Sequence, residues 1–369
     1  MFQLCKSALT GKSAEGSTER LLQLCAGYFL AYVLTGVIVK YFTANYMSEV
    51  AYLVYSTIGG SLICLSVVFA LKWYHLKSSH DVNVFGLAVP AEYLYIIPSG
   101  VCTAVVIPTT TLMYTLPISV MVAMVIMRAS IIIISRAIDA LQIRQGILKK
   151  TVYKEENTAV VFAVIAAGMH LVNVQAGSFD FIHNNIAVIT LSSYLVAYSI
   201  RLYIMNYYKN TRPKGVEQDN KGFFAIEQIT SSVTIFLAGY LIYRNCLPCG
   251  SPQSFFTQYH ASIATPPQAW AWAIVAGTVF GVAAFFSVFL FMFKGRTATF
   301  AGLVNRLTSL VAGTAATLIT WAFMGGKPPK MQDWLSLAFI LVAVYFMSLA
   351  EKKRSAELKA AKEIPAECS

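Results

Sequence analysis

Long apolar runs alternate with short polar connections along almost the whole chain. The runs occupy residues 21–39, 51–71, 93–113, 116–135, 158–174, 186–205, 223–243, 270–293, 297–323 and 334–350. Each has about 17–25 residues, the length a helix needs to cross roughly 30 Å of bilayer hydrocarbon. No water reaches the backbone there, so each run must satisfy its own N–H and C=O groups, as a helix does. Composition points the same way: 57% of the 369 residues are hydrophobic and 12% are charged. Soluble domains sit near 45–50% and about 25%. A soluble globule with so little charge would not stay dispersed, and disorder requires low hydrophobicity. The expected fold class is all-α: a polytopic membrane protein with ten transmembrane helices.

The net charge of +11 is no nucleic-acid footprint, because the basic residues are not gathered on one soluble face. They fall in alternate connections: Lys72 and Lys77; Arg136, Arg144, Lys149, Lys150 and Lys154; Lys209, Arg212, Lys214 and Lys221; Lys294 and Arg296. Counting the two ends, about 21 stand on this side against 4 on the other, namely Lys40, Arg244, Lys327 and Lys330. Lys and Arg of short loops stay in the cytoplasm, so both termini are expected there. An odd number of spans would scramble this alternation. The run at 21–39 exceeds a signal-peptide core and has no small-x-small cleavage site, so it reads as an uncleaved first span. The expected divisions are a cytoplasmic N-terminus at 1–20, five-helix units at 21–174 and 175–350, and a cytoplasmic tail at 351–369. No Asn-x-Ser/Thr acceptor occurs, which is compatible with a bacterial inner membrane. Of the cysteines, only Cys246 and Cys249 are close in sequence. With His260 they give three ligands where a structural zinc takes four, so no metal is expected and the pair reads as incidental or structural.

Ten helices divide into five and five, and because five is odd the second set runs in the opposite sense. That is the inverted-repeat arrangement of secondary transporters. The fourth run of each half carries an arginine near its middle: Met127-Arg128-Ala129-Ser130 in one, Asn305-Arg306-Leu307-Thr308-Ser309 in the other. An arginine at that depth costs about 2.5–3.5 kcal/mol on insertion scales. It keeps its charge at any pH and grips carboxylate or phosphate bidentately. Either Arg128 and Arg306 share an anion site between the halves, or each pairs with a buried acid or a helix-end carbonyl. Thr299, Gly302, Ser309 and Gly313 lie at helical spacing around Arg306, a small polar stripe that permits close packing or lines a watery cavity. Asn305, Ser309, Thr299 and Ser130 therefore join the two arginines as candidate substrate contacts.

Glu227 is the leading acid, either a proton-coupling site or the neutralising partner of Arg128 or Arg306. His170, beside Asn173, is a lesser candidate for proton coupling. Glu92 reads as interfacial beside Tyr93 and Tyr95, and Arg201 as a snorkelling anchor. Pro98 and Pro108 fall in the third run, and Gly277 and Gly281 in the eighth. Interruptions at matching places point to gates along a substrate path, although prolines also simply kink membrane helices.

No His-Glu-x-x-His, G-x-S-x-G or Walker loop occurs, so the expectation is no enzyme and no cofactor. The plan resembles the drug/metabolite transporter superfamily. The resemblance is carried by Phe300 to Arg354, with its mid-helix arginine, the short connection Lys327-Pro328-Pro329-Lys330-Met331-Gln332-Asp333-Trp334 and the basic Glu351-Lys352-Lys353-Arg354. Val120 to Ala140, then Glu155-Glu156 and Gly168, form the matching stretch of the first half. The EamA-type exporters would have a proline in the ninth helix, where this chain has Thr308-Ser309, and an acid where it has Gly325-Gly326. Arg306 is more similar to the nucleotide-sugar and sugar-phosphate branch, where basic residues meet phosphate. The resemblance implies alternating access by one ten-helix unit without a cofactor. The reading is an exchanger of a small anionic organic solute in the lipid bilayer. The alternatives are a proton-coupled exporter of amino acids, drugs or other metabolites, and a membrane enzyme acting on lipid-linked substrates.

Overall fold

The computed structural model describes residues 16–78, 80–84, 86–115, 120–169, 185–213, 216–245, 254–325 and 331–363. Helices α1 (Thr18–Asn45) and α2 (Glu49–Ala70) lead into a hairpin of β1 (Asp81–Val84) and β2 (Leu87–Pro90). Next come α3 (Tyr93–Thr115), α4 (Val120–Arg144), α5 (Lys154–Gly168), α6 (Asn185–Asn210) and α7 (Asn220–Asn245). A short α8 (Phe255–Ala264) precedes α9 (Trp270–Phe291), α10 (Ala298–Met324) and α11 (Met331–Glu363). The protein is all-helical apart from the hairpin.

Hydroxyl residues start several helices. Ser17, Ser48, Ser254 and Thr297 each accept a backbone N–H of the first turn at 3.1–3.3 Å, satisfying a donor the helix leaves orphaned. Inside the helices the hydroxyls turn back on their own backbone: Thr35, Thr109, Thr234 and Thr320 each donate to the carbonyl four residues earlier. A hydroxyl that bonds its own helix can face hydrocarbon without an unmet polar atom.

Large apolar side chains also cover the outside of the bundle, among them Leu62, Ile189, Val233, Leu237 and Phe323. A helix apolar on all sides has lipid as its outer solvent. Among the described residues, eight helices are long and apolar enough to cross a membrane: α1, α2, α3, α6, α7, α9, α10 and α11. The chain is thus a multi-pass membrane protein. The described part of α5 has 15 residues, about 22 Å, and the expected remainder of that span to 174 lies outside the described residues.

Several boundaries differ from the sequence reading. α4 extends nine residues beyond 135 to Arg144 and so carries Arg136 and Asp139 in helical register. α11 continues through 351 without a break, because Glu, Lys, Arg, Ala and Leu sustain a helix after hydrophobicity ends. The expected tail is therefore helical as far as Glu363. The hairpin and α8 are too short to register as spans. Asp81 pairs with Pro90 and Val84 with Leu87 across a turn holding Gly86.

The long helices pair in a definite pattern: α2 with α9, α3 with α7, α1 with α10 and α9, α6 with α4 and α3, α4 with α10, and α5 with α11. Where α2 meets α9 the backbones nearly touch. A methyl group built on Gly59 would lie 1.8 Å from the Ile274 carbonyl oxygen, and one on Gly277 would lie 2.2 Å from that of Ser56. Gly281 faces Gly60 in the same way. Such small residues let membrane helices gain van der Waals contact that the hydrophobic effect does not supply there. α3 is helical through both Pro98 and Pro108, and its Gly100 is pressed against α7. Pro98 and Pro108 therefore sit within an unbroken helix, and Gly277 and Gly281 in a packed seam.

One end of the bundle gathers the start of α1, the ends of α4, α6 and α9, and the starts of α3, α5, α7 and α10. Thr18 bonds Glu351 of α11 at 2.8 Å there, so both ends of the described chain meet at this basic end. Glu92, at the α3 entrance as expected, is buried within the protein. It pairs with Arg212 and accepts from Ser78 at 2.7 Å.

Candidate functional site

A cavity of about 190 Å³ opens midway along the bundle, walled by α1, α2, α3, α4, α6, α7, α9 and α10. Arg128 and Arg306 both line it. The two helices that carry them run antiparallel along one seam. The Asp139 carboxylate of α4 accepts the backbone N–H of Thr299, Gly302 packs on Ser135, and a methyl group built on Gly313 would lie 4.0 Å from the Arg128 guanidinium. The small stripe around Arg306 is thus the groove that receives α4, and it brings both arginines to one wall.

Neither arginine has an ion pair among the described residues. The Arg306 guanidinium lies 4.9 Å from the centre of the Tyr198 ring, and its buried Nε has no hydrogen-bond partner. A ring face attracts a cation by its quadrupole without neutralising it. Tyr198 meets Tyr194 at a tilt, ring centres 5.5 Å apart, and Tyr28 meets Tyr32 in the same way at 5.5 Å, all four lining the cavity. The wall is therefore two positive groups among four phenol rings, with Ser61, Thr57, Ser231 and Ser232 adding hydroxyls. A carboxylate or phosphate there meets a full positive charge in a low-dielectric setting.

Beside the cavity lies a buried ion pair, which reaches its wall through Arg201. Arg201 forks onto Glu227 through Nε (2.9 Å) and Nη2 (3.0 Å), while Ser99 (2.7 Å) and Thr103 (3.2 Å) donate to the same carboxylate. Arg201 is 6% exposed, so it does not snorkel, and the acid it meets is the one expected to face Arg128 or Arg306. Three of these donors converge on Oε1 of Glu227 and one, from Arg201, reaches Oε2. Arg201 and Thr103 also line the cavity.

The remaining candidates lie elsewhere. Asn305 sits behind the wall, its amide donating to Ser287 at 2.9 Å and its buried carbonyl oxygen without a partner. Ser309 bonds back to the Arg306 carbonyl at 2.8 Å. Thr299 is at the basic end, away from the cavity, and Ser130 is not part of its wall. Gly281 reaches the wall through its backbone, whereas Gly277 does not. His170, Asn173, Cys246 and Cys249 lie outside the described residues, and His260 stacks on Tyr243 at 4.3 Å.

The tyrosines and Asp139 do not stand out in the sequence, and Arg201 reads there as an anchor. Tyr28-x3-Tyr32 and Tyr194-x3-Tyr198 stand in the first and sixth runs, which are mates under a five-plus-five division, and that repetition is the signal that could have found them. The acids do not stay spread along the chain either. Asp139, Glu156 and Glu351 converge at the basic end, each bound by its own donors.

No protein-family model matches the chain, and no curated protein does. A solved structure described only as "Crystal structure of protein" shares the fold, with a TM-score of 0.57 at 13% identity over 91% of this chain and 99% of that one.

Proposed function

We propose that the protein is a secondary transporter, an exchanger of a small anionic organic metabolite that carries phosphate or carboxylate. The observation that carries this reading is the pair of arginines, Arg306 and Arg128, facing one central cavity with no carboxylate on either among the described residues. A structural arginine in lipid is expected to be paired, as Arg201 is. The cavity volume of about 190 Å³ is below the roughly 300–1,000 Å³ of drug-sized sites, which favours a small metabolite over a bulky drug.

Alternating access is the mechanism this architecture favours, with α4 and α5 completing ten spans in two inverted halves. The helix pairing supports it. Exchanging α1–α5 for α6, α7, α9, α10 and α11 turns α2–α9 into α7–α3, α1–α10 into α6–α4, and α1–α9 into α6–α3. The pairs α4–α10 and α5–α11 map onto themselves. Two halves related in this way can rock about a fixed midplane site. The excess of basic residues at one end supports cytoplasmic termini, and a bacterial inner membrane and membership of the drug/metabolite transporter superfamily are part of the proposal. The engagement of Glu227 by Arg201, Ser99 and Thr103 favours a structural role for that residue over proton coupling.

The test is exchange in proteoliposomes preloaded with a panel of phosphorylated and carboxylated metabolites. Arg306→Ala and Arg128→Ala are each expected to cut the accepted exchange at least tenfold, the loss of one charge-assisted contact of about 1.5–3 kcal/mol. Normal exchange of every accepted solute by both folded variants would sink the anion-site reading.

A further inference from the structure

We propose that the basic end of the bundle holds a second anion site, built by Lys209, Lys150 and Arg296, for the phosphoryl group of a solute or of a lipid headgroup. The inference is independent of what the central cavity binds. Lys209, in the last turn of α6, is 8% exposed, and its ammonium meets the Phe291 carbonyl at 3.2 Å. An ammonium has three donors and a full charge, and no carboxylate pairs with it among the described residues. Lys150, in the connection between α4 and α5, lies within electrostatic reach of Lys209, Arg296, Arg354 and Lys294. Burial first, then Arg354 and Arg296, push its amine down to about 8. Arg296 is 1% exposed and forks onto Glu351, and its buried Nη1 has no partner.

The nearby acids are committed elsewhere. Asp139 accepts the N–H groups of Ala298 (2.9 Å) and Thr299 (2.6 Å) and the amide of Asn206 (3.2 Å). Glu156 takes the Thr297 hydroxyl at 2.7 Å and faces Arg354 at 3.5 Å. Glu351 is held by Arg296 and Thr18. A buried lysine, Lys209, and a half-buried one, Lys150, both facing Asp139, have no carboxylate in ion-pair contact among the described residues, beside a guanidinium nitrogen without an acceptor among them. With Lys294 counted, five cations (Lys150, Lys209, Lys294, Arg296 and Arg354) stand against the three buried carboxylates Asp139, Glu156 and Glu351, and a phosphoryl group, with close to two negative charges and three acceptor oxygens, matches that surplus of two. The site lies between the cavity and the membrane face. Lys209 is eight residues beyond Arg201 on α6, about 12 Å along the axis, and Phe291 is one turn beyond Ser287 of the cavity wall.

The test is thermal unfolding of the purified full-length protein in detergent at pH 7, with inorganic phosphate added against chloride at equal ionic strength. A parallel arm uses nanodiscs of phosphatidylcholine with or without phosphatidic acid. Arg306→Ala, which removes the central contact, is expected to keep a phosphate response, and the lysine substitutions are compared in that background. Lys209→Met and Lys150→Gln should each need at least tenfold more phosphate for the same shift, and Lys209→Arg should keep the response. Stabilisation by phosphatidic acid alone, lost in both lysine variants, would assign the site to a headgroup. The proposal fails if phosphate acts no differently from chloride and phosphatidic acid has no effect. It also fails if the response survives in both lysine variants, or if Arg306→Ala alone abolishes it.

Discussion

Arg201 and Glu227 are 26 positions apart, and each looks like a separate liability in an apolar helix. Folded together, they satisfy one another and engage two hydroxyls as well. Breaking a buried pair from one side leaves an uncompensated charge, which costs about 3–5 kcal/mol. Glu227→Ala is expected to lose that much stability, and Glu227→Gln less. The double variant Arg201→Met/Glu227→Leu should recover most of it, since a buried pair can be replaced by apolar packing. Denaturation of the purified variants checks this; a single variant as stable as wild type would mean that the pair is not structural. Arg306 is different in kind, because a tyrosine ring stands where Arg201 has a carboxylate.

Among the elements, close backbone approach decides which helices are neighbours. At Gly59 any side chain meets the α9 backbone at 1.8 Å, and backbone cannot yield as a flexible side chain does. Gly59→Ala is expected to destabilise by about 1–3 kcal/mol, the usual range for overpacking. Gly168, in α5, has nothing within 4 Å of a built methyl group. Gly168→Ala should be neutral or stabilising by up to about 1 kcal/mol, the helix-propensity difference. Melting temperatures of the two variants side by side would separate a packing seam from a loose position. Equal losses in both would refute the seam. Gly277 and Gly281 in the eighth run are visible in the sequence as interruptions. Their role is not, because a small residue reads the same whether it bends a helix or admits a neighbour.

For the whole molecule, the gathering of cations at one end makes stability depend on pH in a definite direction. The Lys150 amine falls from its ordinary 10.5 to about 8 on folding. Below pH 8 both folded and unfolded chains hold the proton, and folding bears the full penalty of a charged amine among other cations. Between about pH 8 and 10.5 the unfolded chain binds more protons than the folded one, so stability gained from this group rises with pH. In chloride buffer, Lys150→Gln is therefore expected to exceed wild type in stability most at pH 7, with the gap closing by pH 10. A gap that widens with pH would contradict the burial of that amine.

The bilayer-spanning class, the position of most helices and the two mid-helix arginines that come to line one cavity were legible in the linear chain. Hydrocarbon imposes its demands locally: a fixed length, an apolar surface and a backbone satisfied within the segment leave their mark on consecutive residues. The same demands make any buried charge conspicuous. Features made by contact between distant segments were not legible. The partner of Glu227, the convergence of Asp139, Glu156 and Glu351 at one end, and the four tyrosines around the cavity all depend on which helix faces which. Every apolar run is equally content against lipid or another helix, so the neighbours are chosen by close fit between surfaces, which no single run contains.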